Sequence, residues 1–68
     1  MSVRILLLPE RETRTVEVPR GADGFALIRT LCLNPENVIL VRGGRPIPVD
    51  SRIKAKDDLK VIRVVSGG

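Results

Sequence analysis

The sequence has no histidine, glutamine, tryptophan or tyrosine, and only one cysteine, one phenylalanine and one methionine in 68 residues. Each gap excludes something. With Cys32 alone and no histidine, a His/Cys set of the kind that holds zinc cannot be assembled. A lone cysteine forms no internal disulfide, which fits a reducing compartment. Phe25 is the sole aromatic, so there is no platform on which the bases of a single strand could stack. No apolar run approaches the roughly 18 residues of a membrane span. The opening segment, Met1 to Pro9, is too short for a signal peptide and runs straight into charge. No membrane contact is expected, and the expected location is cytoplasmic.

What is present is aliphatic and basic. Hydrophobic residues make up 43% of the chain, enough to build a core without aromatics. One small domain is expected at this length, and such a chain buries only about 60% of its unfolded surface. The formal net charge is +4 and the pI about 10.2. Basicity raises nucleic-acid binding as an option. The charges are scattered, however, and eight acidic residues are mixed among the twelve basic ones. A solvated surface accounts for that pattern, and direct nucleic-acid binding is not expected.

Local patterning gives the element order. Val3 to Leu8 is a near-continuous apolar run ended by Pro9, as in a buried strand. Glu10-Arg11-Glu12 is a charged turn. Thr13 to Val18 alternates, with Val16 and Val18 on one side and Thr15 and Glu17 on the other. Asp23 is a candidate helix N-cap. Phe25, Ile28 and Cys32 then fall at helical spacing, with Leu27 and Leu31 beside them, and Asn34-Pro35 stops the helix. That predicts about ten residues, roughly 15 Å, with Cys32 as a packed core thiol. Val38 to Val41 is a third strand. Gly43-Gly44 suits a tight primed turn with positive φ. Arg45 to Val49 carries two prolines and must lie at a sheet edge. Val49 to Asp58 is an irregular polar crossing, and Leu59 to Val65 is the last strand.

The first and last strands are the most apolar and should be central. Their inward set is Val3, Ile5, Leu7, Leu59 and Val61. Leu6, Leu8, Ile62 and Val64 then point to an uncovered face, and a contiguous group of exposed aliphatics suggests a contact site. The chain closes on Ser66-Gly67-Gly68. Glycine has no β-carbon, so such a tail can thread a narrow channel and present its carboxylate to an enzyme. Gly/Ser chain ends are also common without any role, so the tail alone leaves both readings open. The expected organisation is a domain over residues 1–65 and a flexible tail over 66–68.

The order β-β-α-β-β-β followed by Gly-Gly resembles the ubiquitin-like β-grasp fold. That is an α+β architecture, a mixed sheet of four to five strands with one helix packed on one face. More narrowly, the chain resembles the sulfur carriers of thiamine and molybdopterin synthesis and the small archaeal modifier proteins. The residues that carry the resemblance are Leu33-Asn34-Pro35-Glu36-Asn37-Val38, then Val41-Arg42-Gly43-Gly44-Arg45-Pro46-Ile47-Pro48-Val49-Asp50, then Lys56-Asp57-Asp58-Leu59-Lys60-Val61, and the closing Gly67-Gly68. Asp57 stands where those families usually have glycine.

The resemblance implies a carrier that is not itself an enzyme. An adenylating partner uses Mg-ATP to convert the Gly68 carboxylate into an acyl-adenylate, and the chain itself binds no cofactor. Sulfur transfer then gives a thiocarboxylate, for an acceptor enzyme such as one of tRNA thiolation or of molybdopterin or thiamine synthesis. Alternatively, a lysine of a target protein attacks and forms an isopeptide. Leu6, Leu8, Ile62 and Val64, with Arg63, are the candidate docking face, and Arg42 and Arg45 are further cationic candidates. Lys54, Lys56 and Lys60 are the three lysines and the candidate chain acceptors, with the N-terminal amine as the other amine. The competing readings are a non-covalent β-grasp binding module with an incidental Gly-Gly end and a small basic nucleic-acid protein.

Overall fold

Alternating apolar residues in the two most hydrophobic segments build the centre of the sheet. The computed structural model describes residues 1–64; Val65, Ser66, Gly67 and Gly68 lie outside the described residues, and with them the expected tail. The elements are β1 (Ser2–Leu8), β2 (Glu12–Glu17), α1 (Gly24–Thr30), a 3-10 turn (Pro35–Asn37), β3 (Val38–Arg42), β4 (Arg45–Ile47) and β5 (Leu59–Arg63). The strands form one sheet in the order β2-β1-β5-β3-β4. β5 lies between β1, to which it is parallel, and β3, to which it is antiparallel. The mixed five-stranded sheet with one helix is the α+β architecture expected, and proline-bearing β4 is an edge strand as its missing N–H group requires.

Val3, Ile5, Leu7, Leu59 and Val61 point inward and are buried. They meet Leu27, Ile28 and Leu31 of the helix segment, with Val16, Val18, Val38 and Leu40. The crossing before β5 is less polar than expected, because Ile53 is buried in the same core. Backbone bonds seat it: Ile53 N–H donates to the Ala22 carbonyl at 2.9 Å and Gly24 N–H to the Ser51 carbonyl at 3.0 Å.

The helix departs from expectation in length and in facing. Asp23 caps it, accepting from Ala26 N–H at 3.0 Å. It has seven residues rather than ten, and it ends before Asn34-Pro35. Cys32 N–H donates to the Arg29 carbonyl at 2.9 Å and Leu33 N–H to the Ile28 carbonyl at 3.1 Å. These are the two bonds of a Schellman stop, which places the residue after the cap in the left-handed region. Cys32 occupies that position with φ 60° and is exposed, not packed in the core. Phe25 likewise lies outside the core, 37% exposed. The true buried stripe is Gly24, Leu27, Ile28 and Leu31. Its first member has no side chain to reveal it. A β-carbon on Gly24 would overlap the Val49 carbonyl oxygen and stand 2.7 Å from Leu40 Cδ2, so glycine lets the helix start lie directly on the crossing segment.

Two turns show how local chemistry fixes register. Gly43 and Gly44 both have positive φ, 59° and 80°, as a primed two-residue hairpin between β3 and β4 demands. Asp57 is accommodated without glycine. Its carboxylate accepts from Lys54 N–H at 2.8 Å, closing a turn in which its own N–H donates to the Lys54 carbonyl at 3.1 Å.

Candidate docking face and chain end

The helix covers one face of the sheet and leaves the other open. On β1 the residues that alternate with the core set are Arg4, Leu6 and Leu8. On β5 they are Lys60 and Ile62, and on β3 they are Ile39 and Val41. Pairing brings them together. Leu8 lies beside Ile62 and Leu6 beside Lys60 across the parallel pair. Ile39 lies opposite Ile62 and Val41 opposite Lys60 across the antiparallel pair. Leu6, Leu8 and Ile62 are half-buried, whereas Ile39 and Val64 are 43% and 49% exposed. The result is an aliphatic strip across three strands, with Lys60 set into it. Val64, which follows β5, stands at the end of the strip, and its N–H donates to the Asn37 carbonyl at 2.7 Å.

Ile39 and Val41 were not singled out from sequence. The signal was available: Val38 to Val41 is unbroken in hydrophobicity, and such a strand has apolar side chains on both faces. Val41 is buried although it lies outside the helix-side core, flanked by Lys60 and Pro46.

Arg63 does not share this face. It pairs with core residue Val38 and is in phase with Val61. Its guanidinium donates to the Glu10 carboxylate at 2.8 Å, tying the end of β5 to the β1–β2 turn. That bond holds the Glu10 carboxyl below its ordinary range. Arg42 is also engaged, donating to the Arg52 carbonyl at 3.0 Å and to Asp57 at 3.3 Å. Arg45 is exposed beside the glycine turn and joins none of the ion pairs among the described residues. A cleft of about 200 Å³ at the base of the chain end is lined by Cys32, Asn34, Asn37, Arg63 and Val64.

The amines differ in availability. The Met1 ammonium donates to the Val18 carbonyl at 2.7 Å and pairs with Glu17 at 3.5 Å, so it is fastened to the end of β2. Lys54 and Lys56 are exposed on the segment before β5, and Lys60 is half-buried on the open face. Gly67 and Gly68, the expected site of activation, lie outside the described residues. Among the described residues no group of three or more Cys, Asp or Glu side chains is placed to hold a metal ion. No helix among the described residues is long and apolar enough to cross a membrane.

Comparison with known proteins agrees with this geometry. The family model described as small archaeal modifier protein 2 matches residues 1–65. The chain is 36% identical to sulfur carrier protein TtuB of Thermus thermophilus over 64 residues, covering 94% of this chain and 95% of that one. It is 34% identical to small archaeal modifier protein 2 of Haloferax volcanii over 68 residues, the whole of both chains. The crystal structure of SAMP1 from Haloferax volcanii superposes over the whole of both chains with a TM-score of 0.68 at 21% identity, a likeness of fold.

Proposed function

This chain belongs to the family of small archaeal modifier protein 2, within the ubiquitin-like sulfur carriers and modifiers, and we propose that its Gly68 carboxylate is the group that a partner enzyme activates. The chemistry requires such a partner. A carboxylate is a poor electrophile, because oxide is a poor leaving group. The partner transfers AMP from Mg-ATP to the Gly68 carboxylate and releases pyrophosphate. The mixed anhydride then has AMP as its leaving group. Attack by a sulfur donor gives a thiocarboxylate, and attack by a lysine amine of a target gives an isopeptide. Both routes share the first step. One relative is named a sulfur carrier and another a modifier, which supports keeping both fates open. We assign the reaction to the cytoplasm, where ATP is supplied.

The observation that carries this reading is the continuity of the open face with the chain end. The strip of Leu6, Leu8, Ile39 and Ile62 ends at Val64, four residues before Gly68. An enzyme that takes Gly68 into its active site is brought within four residues of Val64. The strip gives it an apolar surface to hold while the glycines, lacking β-carbons, occupy a narrow channel.

The test is mass spectrometry on N-terminally tagged protein recovered from its own cells. Replacement of one C-terminal oxygen by sulfur establishes the carrier role. Gly-Gly remnants on lysines of other proteins, absent when Gly68 is deleted, establish the modifier role. A free carboxylate alone, in sulfur-replete and stressed growth alike, supports the non-covalent binding module instead. Appending one residue after Gly68 separates the same two readings: activation is lost with the fold intact, whereas a binding module is unaffected.

A further inference from the structure

The end of β5 is held differently on its two sides. Its parallel pairing with β1 stops where Leu8 lies beside Ile62. Pro9 follows, and without an N–H it cannot extend the ladder. On the β3 side the pairing runs further. Val38 lies opposite Arg63, and Val64 N–H donates to the Asn37 carbonyl at 2.7 Å. On the β1 side a side-chain bond takes over from the backbone: Arg63 Nη1 donates to Glu10 Oε2 at 2.8 Å. Both groups are charged, which makes the bond short and directional. The turn that presents Glu10 is itself unusual, since Arg11 holds φ 59°, in a region that residues with a β-carbon rarely adopt. Two fastenings on opposite sides, one from the backbone and one from an ion pair, thus fix the heading of the chain as it reaches Val64.

We propose that Glu10 is a positioning residue for the activation of Gly68, acting through Arg63 on the direction in which the chain leaves the sheet. The inference rests on the reading that Gly68 is adenylated by a docked enzyme. Four residues separate Val64 from Gly68, and a chain of that length, extended in a narrow channel, reaches about 13–14 Å. At that reach a swing of about 20° at Val64 carries the end by roughly 4–5 Å. Attack of the carboxylate oxygen on the α-phosphorus of ATP needs the reacting atoms about 3–3.5 Å apart, so a swing of that size takes the carboxylate out of range. Glu10 and Arg63 make and break no bond in the reaction. They set the fraction of docked carriers whose carboxylate is in place. Leu6, Leu8, Ile39 and Ile62 lie on the face that Arg63 does not share, and they set the affinity for the enzyme. The two groups of residues therefore act on different kinetic constants.

The test is ATP–pyrophosphate exchange on the full chain, with the adenylating enzyme that uses the parent protein. Glu10→Ala is expected to lower kcat about two- to fivefold, the range open to one exposed ion pair, with KM for the carrier within about 1.5-fold of the parent. Arg63→Glu should lower kcat at least as much. The double exchange Glu10→Arg with Arg63→Glu rebuilds the pair with its charges reversed and should recover at least half of the loss. Glu12→Gln is the control: it breaks the exposed Glu12–Arg14 pair of 3.0 Å on edge strand β2 and should match the parent in both constants. Without enzyme, hydrogen exchange at Val64 N–H should quicken in Glu10→Ala. Thermal melts of every variant separate lost positioning from lost folding. A kcat for Glu10→Ala equal to that of the parent, or a loss that falls on KM instead, overturns the inference and leaves the proposed function standing. A double exchange as slow as Arg63→Glu alone also overturns it, because Arg63 then acts by touching the enzyme and not by holding Glu10. Failure of the parent protein to support exchange with any adenylating enzyme of its own cells overturns the proposed function, and the inference with it.

Discussion

Both faces of the sheet carry aliphatic side chains, and the two sets have opposite fates. On the helix side, Val3, Ile5, Leu7, Leu40, Leu59 and Val61 are sealed under α1 and the crossing segment. On the other side, Leu6, Leu8, Ile39 and Ile62 have no covering element among the described residues. Burial of the first set drives folding, because each side chain removed from water contributes about 1.5–3 kcal/mol. The second set contributes part of that at most, so its apolar character is not accounted for by stability. Hydrophobicity in a strand therefore has two meanings here, and only the covering element tells them apart.

Truncation should separate the faces most strongly. Leu27→Ala, under the helix, is expected to cost about 2–5 kcal/mol, since it leaves a cavity at a fully buried position. Ile39→Ala, on the open face, should cost less than about 1 kcal/mol, because the side chain is already partly in water. Ile39→Ala should nonetheless raise KM for activation. Urea titration of both variants, with pyrophosphate exchange on the second, checks the contrast. An Ile39→Ala variant as unstable as Leu27→Ala would erase the distinction between the faces.

Gly24→Ala tests how closely the covered face is packed. The added methyl meets the Val49 carbonyl and Leu40 Cδ2, and overpacking of this kind costs about 1–3 kcal/mol. A melting temperature unchanged from the parent would show that the crossing segment moves aside without cost. A smaller change of opposite sign is expected at the helix stop. Cys32→Gly relieves a left-handed residue that carries a β-carbon and should stabilise the fold by about 0.5–1 kcal/mol, once the greater freedom of glycine in the unfolded chain is counted. Denaturant midpoints resolve a shift of that size.

The smallest effect lies in the clasps at the sheet ends. Arg63 lowers the Glu10 carboxyl below 4.5, and the hydroxyl of Ser2 does the same for Glu17. A carboxyl with a lowered folded value contributes stability above its unfolded value, and loses it as pH falls through the folded value. The melting temperature should therefore be flat from neutral pH down to about 5 and fall below about 4.5. Glu10→Gln should shallow that fall slightly. An unchanged acid slope in Glu10→Gln would mean that the clasp has no energetic weight.

The order of elements, the central place of the first and last strands and the inward set were legible in the chain, because period-two alternation fixes which side chains share a face once one face is buried. Asp23 as cap, Gly43-Gly44 as primed turn and the proline-bearing edge strand were legible because each residue type answers a specific backbone demand. The helix facing was misjudged for a physical reason. Periodicity weighs side chains, and the buried stripe begins at Gly24, which has none. Phe25 then drew the expected face one residue off, and Cys32 seemed to complete it. The Schellman stop was hidden for a similar reason, since its left-handed position holds cysteine rather than glycine. Arg63 was placed with the docking face because its partner, Glu10, lies 53 residues away in sequence and gives no local sign of the pairing.

By itself, the sequence determined the fold class, the central pair of strands, the aliphatic character of the open face and the Gly-Gly end. These follow from local patterning and from residue types with narrow conformational roles. Tertiary structure alone decided that Ile39 and Val41 lie beside Ile62 and Lys60, and that Arg42 and Arg63 are spent on internal partners. Those facts depend on strand register and on contacts between distant residues. A one-residue slip in pairing would move every one of these side chains to the other face, and register is fixed only when the strands and the helix pack together.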